Sequence, residues 1–282
     1  PSASISPADR EALKTYCAND LQTTEDLYRK LLPQLELRVR MGEEYGQELR
    51  SKSDAQIAEA VIKAEVETLI GNTVERPEIA AGTQYGYVAP DFIQFETEQL
   101  RDVLEQIQVD KFVVQDSGKV DEPKWLKDLK VSIGQSVYRM GIGGLHSTES
   151  CVAHVADDDT LLIDRDVASY YPNIILTLGL APSHMGNAFI KVYRGIVERR
   201  LEAKRTGDKV TNEVLKICIN GSFGKFGSKW SVLYSPDLLI ATTITGQLCL
   251  LMLIEQLELS GIPVVSANTD GIVIKCPKDK FD

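Results

Sequence analysis

The stretch "SANTDGIVI", Ser266–Ile274, decides how the chain is read. Apolar residues flank a short run of small and polar ones, the pattern of two antiparallel strands joined by a tight turn. Asp270 sits on that turn, and Asn268 lies one alternation before it. A carboxylate on a hairpin turn is well placed to hold a cation, and here the neighbouring donor is an amide where a second acid is expected. Whether such a hairpin does metal-dependent chemistry depends on where the chain keeps its other acids.

One such place is "LLIDRDVASYYPNII", Leu161–Ile175. Strand alternation puts Leu162, Asp164 and Asp166 on one face and Leu161, Ile163 and Arg165 on the other. Two acids at i and i+2 sit ~7 Å apart along a strand, and they repel unless a cation or solvent compensates them. Metal binding is one answer and an exposed strand end is the other. Pro172 suits the first turn of a helix, with Tyr170 and Tyr171 just before it. One tyrosine is expected in the core and the other facing a ligand.

Charge is unevenly divided. The chain carries −10 overall, yet residues 191–230 hold 10 basic and 4 acidic residues, while residues 151–190 hold 1 and 5. A basic segment between acidic ones can grip phosphates while cations sit among the carboxylates, although a solvated helix face would look the same. Within it Arg200 and Lys204 share one helix face, as do Lys216, Asn220 and Phe223. Glycines at 221, 224 and 227 allow close approach of backbone or ligand, or mark the end of an amphipathic helix. Cations, an amide and an aromatic on neighbouring helices suit a nucleoside triphosphate.

The remaining features bound the class. The 282 residues, 43% of them hydrophobic, can build a substantial core. No run of about 18 apolar residues occurs, so no membrane span is expected, and "LCLLMLI", Leu248–Ile254, reads as buried helix. The five cysteines are scattered, which favours a reducing compartment. His146, His154 and His184 lack metal-ligand spacing; His146 suits either a plain loop or contact with a template phosphate.

Along the chain, Ser6-Pro7-Ala8-Asp9 predicts a helix running to Pro33, with further helices over 34–50 and from Ser53 to Gly71. Residues 72–90 read as a loop and 92–108 as helix. Strands with a glycine-rich bend follow from about 130, and then a hairpin turning at Asp157–Asp159. Helices are expected over 187–206, 210–222 and 236–260. The mixture predicts an α+β fold.

Order now carries more than any single stretch. "DVASYYPNII" (Asp166–Ile175), "KICINGSFGKFG" (Lys216–Gly227) and "NTDG" (Asn268–Gly271) resemble motifs A, B and C of family B DNA polymerases. "GIGGLHS" (Gly141–Ser147) resembles the glycine motif of the phage members. "YCAND" (Tyr16–Asp20) resembles the third exonuclease motif of that family.

The resemblance implies a polymerase palm, an antiparallel sheet with packed helices, carrying a helical fingers insertion and preceded by a mostly helical segment. Its implied divisions are 1–70 (exonuclease remnant), 71–150 (connection), 151–190 (palm, motif A), 191–232 (fingers, motif B) and 233–282 (palm, motif C). It implies that Asp166 and Asp270 are catalytic carboxylates binding two Mg²⁺ ions, with Mn²⁺ as a substitute, helped by Asn268 and the carbonyl of Val167. Tyr171, Arg200, Lys204, Lys216, Asn220 and Phe223 would bind dNTP, while Gly143, Gly144 and Lys225 would touch DNA. Tyr16 and Asp20 would be an exonuclease remnant without proofreading activity, since its partner motifs would precede residue 1. The chain reads as the middle portion of a longer polymerase, with no thumb after motif C.

The implied activity is DNA-directed DNA synthesis on primer-template DNA, in the cytoplasm of a bacterial host of a phage or prophage, with accessory replication proteins unspecified and no membrane partner. Asn268, Gly221 and Phe223 depart from the family pattern, where an acid, a serine and a tyrosine are usual. The asparagine removes one negative charge and should weaken Mg²⁺ binding without abolishing it. A catalytically silent nucleic-acid-binding relic is the alternative.

Overall fold

The computed structural model describes residues 5–149 and 151–281, so the expected junction at 150 lies outside the described residues. The architecture is α+β and falls into two compact units, Pro1–Ser53 and Asp54–Asp282.

The first unit is built on one helix, α1 (Pro7–Tyr45), where two were expected. The Ser6 side chain caps it by accepting from the Asp9 N–H, and Gly46 ends it at φ 63°. Pro33 lies inside this helix. A proline removes one hydrogen bond, but the leucines, Gln34 and Glu36 around it are strong helix formers, and the helix continues.

In the second unit, α2 (Asp54–Ile70) buries Ile57, Ala58, Val61, Ile62 and Val66 and packs on α6 (Gly186–Thr206) and α7 (Lys209–Phe226). Asp208 caps α7 by accepting from the Thr211 N–H at 3.1 Å, which turns the chain between the two helices. The helix expected over 92–108 is shorter, α3 (Glu98–Val109), and a short helix, α4 (Lys124–Asp128), follows it.

Two antiparallel sheets complete the unit. The smaller joins β1 (Gln84–Gly86), β2 (Lys111–Val114) and β3 (Val120–Asp121) in that order. The larger contains β4 (Val131–Ile133), β5 (Ser136–Arg139), β6 (His146–Thr148), β7 (Thr160–Asp166), β8 (Val264–Asn268) and β9 (Gly271–Pro277), in the spatial order β4-β5-β6-β8-β9-β7. β8 and β9 form the hairpin read from the sequence. The expected hairpin at 157–159 does not form. Asp157 instead accepts from the Asp159 N–H at 3.1 Å and the Thr160 hydroxyl at 2.7 Å, and β7 pairs with β9. Ladder pairing sets Ile163 against Ile274 and Leu161 against Cys276, whereas Val152 and Val155 of the preceding segment stay exposed.

α5 (Tyr170–Leu178) and α8 (Pro236–Leu259) pack against each other over this sheet. Among the described residues α8 is long and apolar enough to cross a membrane, and 72% of its most apolar 18 residues is buried inside the protein. Among its buried polar side chains, Thr245 and Glu255 find partners far away in the sequence. Thr245 bonds the Tyr87 hydroxyl at 2.9 Å. Glu255 accepts from the backbone N–H groups of Glu96 and Thr97 at 2.9 and 2.8 Å and from the Thr97 hydroxyl at 2.5 Å, and so caps the start of α3 from another helix.

Replacing Glu255 with Ala should strand those donors and cost about 2–4 kcal/mol of stability in urea unfolding. A pH series offers a second check. Burial pushes the hydroxyls of Tyr87, Tyr138 and Tyr193 up to about 12 from 10.0. Their folded-state values are raised, so the stability they contribute is complete below pH 10 and declines as pH rises toward 12. The urea midpoint should therefore fall steadily across that window.

Candidate active site

The ends of three strands create the site. Asp166, the last residue of β7, pairs with Gly271, the first of β9, and Gly271 pairs with Asn268, the last of β8. His146 on β6 continues the row by pairing with Asn268. Directly opposed residues share one face of a sheet, so Asp166, Asn268 and His146 line one face with a glycine between the first two. A Cβ on Gly271 would fall on the Asp166 carboxylate. The carboxylate thus occupies space that only a glycine leaves. Asp270 stands on the adjoining turn, and its carbonyl accepts from the Val167 N–H at 2.8 Å, which ties the two acidic segments together. Asp164 is exposed on the same face of β7 as Asp166.

Among the described residues only two other than glycine have positive φ, Ser169 at 51° and Thr269 at 56°. One lies on each acidic segment. A β-branched residue in this region is strained, and here neighbours hold it. The Thr269 N–H donates to the Leu145 carbonyl at 2.8 Å, and a Cβ on Gly144 would collide with Thr269. Gly143, in contrast, has open space at its Cβ position. The glycine loop is anchored from α8. Gln247, buried, donates through Nε2 to the Gly141 and Gly143 carbonyls at 2.8 and 3.0 Å and accepts from the Gly141 N–H at 3.0 Å. Gln247 has no part in the sequence reading of the site, which leaves His146 between a plain loop and contact with a template phosphate. An isolated glutamine in an apolar helix gives no local signal of a partner 104 residues away.

The tyrosine pair separates into two environments. Tyr170 is buried and donates to the Gly246 carbonyl at 2.6 Å. Tyr171 is half-buried and stacks on Phe223 with ring centroids 4.2 Å apart and planes inclined by 15°. Burial raises the Tyr171 hydroxyl above the usual tyrosine value, and the Asp270 carboxylate raises it further. Both rings lie against Gly246, where an added Cβ would stand 3.2 and 3.3 Å from them.

The cations are spread over α6 and α7. Arg200 is half-buried, donates weakly to the Ser169 hydroxyl at 3.4 Å, and keeps a buried Nε with no partner among the described residues. Lys204, Lys216 and Asn220 are exposed, and Lys216 stands 3.9 Å from Glu213. Lys225, expected to reach DNA, is mostly covered and forms an ion pair with Glu59 at 2.8 Å. The other Glu59 oxygen accepts from the Val232 N–H at 2.7 Å, so in this structure the Lys225 charge ties α7 to α2. Tyr16 and Asp20 lie exposed on α1 in the first unit.

The donor set at the strand ends fits a hard divalent cation: two carboxylates, an amide oxygen and nearby backbone carbonyls are all oxygen ligands. Among the described residues no three of His, Cys, Asp and Glu converge, so the amide and backbone oxygens would have to complete the shell.

No family model matches the chain, and no curated protein matches it. Among solved structures the chain is similar to the family B DNA polymerase of the hyperthermophilic archaeon Pyrobaculum calidifontis, at 16% identity and a TM-score of 0.48. That alignment covers 97% of this chain and 33% of the polymerase, so the chain spans about a third of its length. The chemistry open to this protein is set by the residues it brings to its own strand ends.

Gly221 shows how closely the helices meet here. A Cβ at that position would lie 2.6 Å from the Asp54 carbonyl oxygen and 3.0 Å from the Ala55 Cα. Gly221→Ser should therefore destabilise the protein by about 1–3 kcal/mol, despite the better helix propensity of serine. Thermal melting of that variant beside Gly224→Ser, which enters open space, separates the packing effect from propensity.

Proposed function

We propose that the strand-end carboxylates form the nucleotidyl-transfer centre of a DNA-directed DNA polymerase of the family B type, with the β4–β9 sheet as palm and α6 and α7 as fingers. The single observation that carries this reading is the register placing Asp166 beside Gly271, next to Asp270 on its turn, within a chain whose motif order resembles that family's.

Asp166 and Asp270 would hold two Mg²⁺ ions, with the Asn268 amide oxygen and the Val167 carbonyl as further ligands. Bound there, the ions supply charge stabilisation for the attacking 3′-hydroxyl and the departing pyrophosphate. The chain's own residues do the positioning. The rigid Tyr171–Phe223 stack offers a flat wall against the sugar and base of an incoming dNTP, and the bulk of Tyr171 suits a deoxyribose. Arg200 has a buried guanidinium N–H to satisfy, which a phosphate oxygen would do. Lys204 and Lys216, exposed on neighbouring helices, add positive charge for the rest of the triphosphate. Gly143, with no side chain above it, leaves room for a DNA backbone, and His146 extends the same face.

The Asn268 amide lowers the negative charge of the site by one relative to a three-acid arrangement. A silent nucleic-acid-binding relic is the reading this one amide favours.

Primer extension decides between them. Wild-type protein should extend a primed template with Mg²⁺, and Asp166→Ala should abolish extension. Asn268→Asp should lower the half-saturating Mg²⁺ concentration at least about fivefold, since an added unit charge at ligand distance is worth at least ~1 kcal/mol even with solvent screening. Extension seen only with Asn268→Asp would establish the relic.

A further inference from the structure

The loop between α7 and α8 buries its second half and leaves one large ring outside. Ser231, Val232, Leu233, Tyr234 and Ser235 are all buried, yet Trp230 immediately before them is 74% exposed. An indole is a large apolar surface to leave in water. The loop is not slack at this point. The N–H groups of Ser228, Ser231 and Tyr234 donate to the carbonyls of Lys225, Ser228 and Ser231 at 3.2, 2.9 and 3.2 Å, and the Ser235 N–H donates to Phe226 at 2.9 Å. A firmly held loop therefore displays the ring.

Two cations accompany it. The guanidinium carbon of Arg76 and the ammonium of Lys229 each lie 5.3 Å from the indole centroid. Lys229 is fixed by donating to the Asp116 carbonyl at 2.7 Å. Its stem lies against Gly118, which has φ 81° and would bring a Cβ within 2.5 Å of the Lys229 Cβ. Tyr234 donates to the Gly118 carbonyl at 2.6 Å. Arg76, Lys229, Trp230 and Tyr234 line a cleft of about 510 Å³ whose one acidic side chain is Glu78. Two cations against one acid make it locally positive in a chain of net charge −10.

We infer that this cleft is a stacking site for an unpaired nucleic-acid strand. Trp230 receives a base on the exposed part of its ring, and Arg76 and Lys229, from two separate segments, take the phosphates on either side of that base. A duplex keeps its bases stacked internally and cannot offer one to the ring, and a free nucleotide brings phosphate to one side only. The choice of nucleic acid as ligand rests on the polymerase reading, but the site requires neither Asp166 nor Asp270.

The test is binding of a labelled oligo(dT), without Mg²⁺ or dNTP, followed by fluorescence anisotropy at several salt concentrations. Trp230→Ala should weaken binding about tenfold, Trp230→Phe should restore most of it, and a blunt duplex should be little affected. Replacing both Arg76 and Lys229 with Ala should reduce the salt slope by about 1.4, or ~0.7 for each cation on a single strand. Undiminished oligo(dT) binding by Trp230→Ala, an equal loss for the duplex, or competition by free dTMP as potent as that of the oligonucleotide would each overturn the proposal. Oligo(dT) binding that depends on Trp230 in a protein unable to extend primers would leave this site standing and remove the polymerase reading alone.

Discussion

Asp166 pairs with Gly271, at the end of an antiparallel ladder that begins at Thr160 and Pro277. A slip of one residue would turn every side chain of β7 to the opposite face and carry Asp166 away from the turn that bears Asp270. The ladder resists slipping because Leu161 and Ile163 must meet Cys276 and Ile274 on the inner side. Gly271 then leaves the space that the Asp166 carboxylate fills. Apolar pairing thus fixes the position of a polar centre. β8 carries a register irregularity between Val264 and Ser266, at the strand end away from Asn268.

α8 supplies the second constraint. Its side chains cover the sheet, and three polar ones reach across the fold: Thr245 to Tyr87, Gln247 to the 141–143 loop, and Glu255 to the start of α3. Buried polar groups are costly unless paired, so these contacts specify one docking of the helix. Through Gln247 the helix holds the glycine loop, and through Leu145 that loop holds the left-handed Thr269. The strained turn is therefore supported from the core. Ser169 carries the same kind of strain on the other acidic segment, where its hydroxyl meets Arg200. Strain at these two positions coincides with the placement of the carboxylates, as in sites whose geometry is enforced by their surroundings.

Charge follows a related division. Ion pairs along α1, such as Lys14–Glu11 and Arg29–Glu25, lie in water and add little stability. Lys225–Glu59 is largely covered and joins two packed helices. Removing one partner from such a pair leaves a charge poorly solvated, so the same residue types contribute differently according to burial.

Much of the fold was legible in local pattern. The hairpin around Asp270, the acid alternation of β7, and the helices about 187–206, 210–222 and 236–260 arise from periodicity and turn chemistry, which act over a few residues. Two readings failed where non-local forces decided: Glu98 begins a helix capped by Glu255 from a distant element, and β7 leaves 151–157 unpaired in favour of β9. A third, the expected break at Pro33, failed because the helix propensity of its neighbours outweighs one lost hydrogen bond. The sequence by itself determined which acids, cations and aromatics were available and which strand faces they occupied. Only the tertiary structure decided that Asp166 meets Gly271, that Tyr171 stacks on Phe223, that Lys225 is tied to Glu59, and that Trp230 is left in water. The reason is physical: side-chain period is written into neighbouring residues, whereas register and partner choice emerge from packing between segments far apart in the chain.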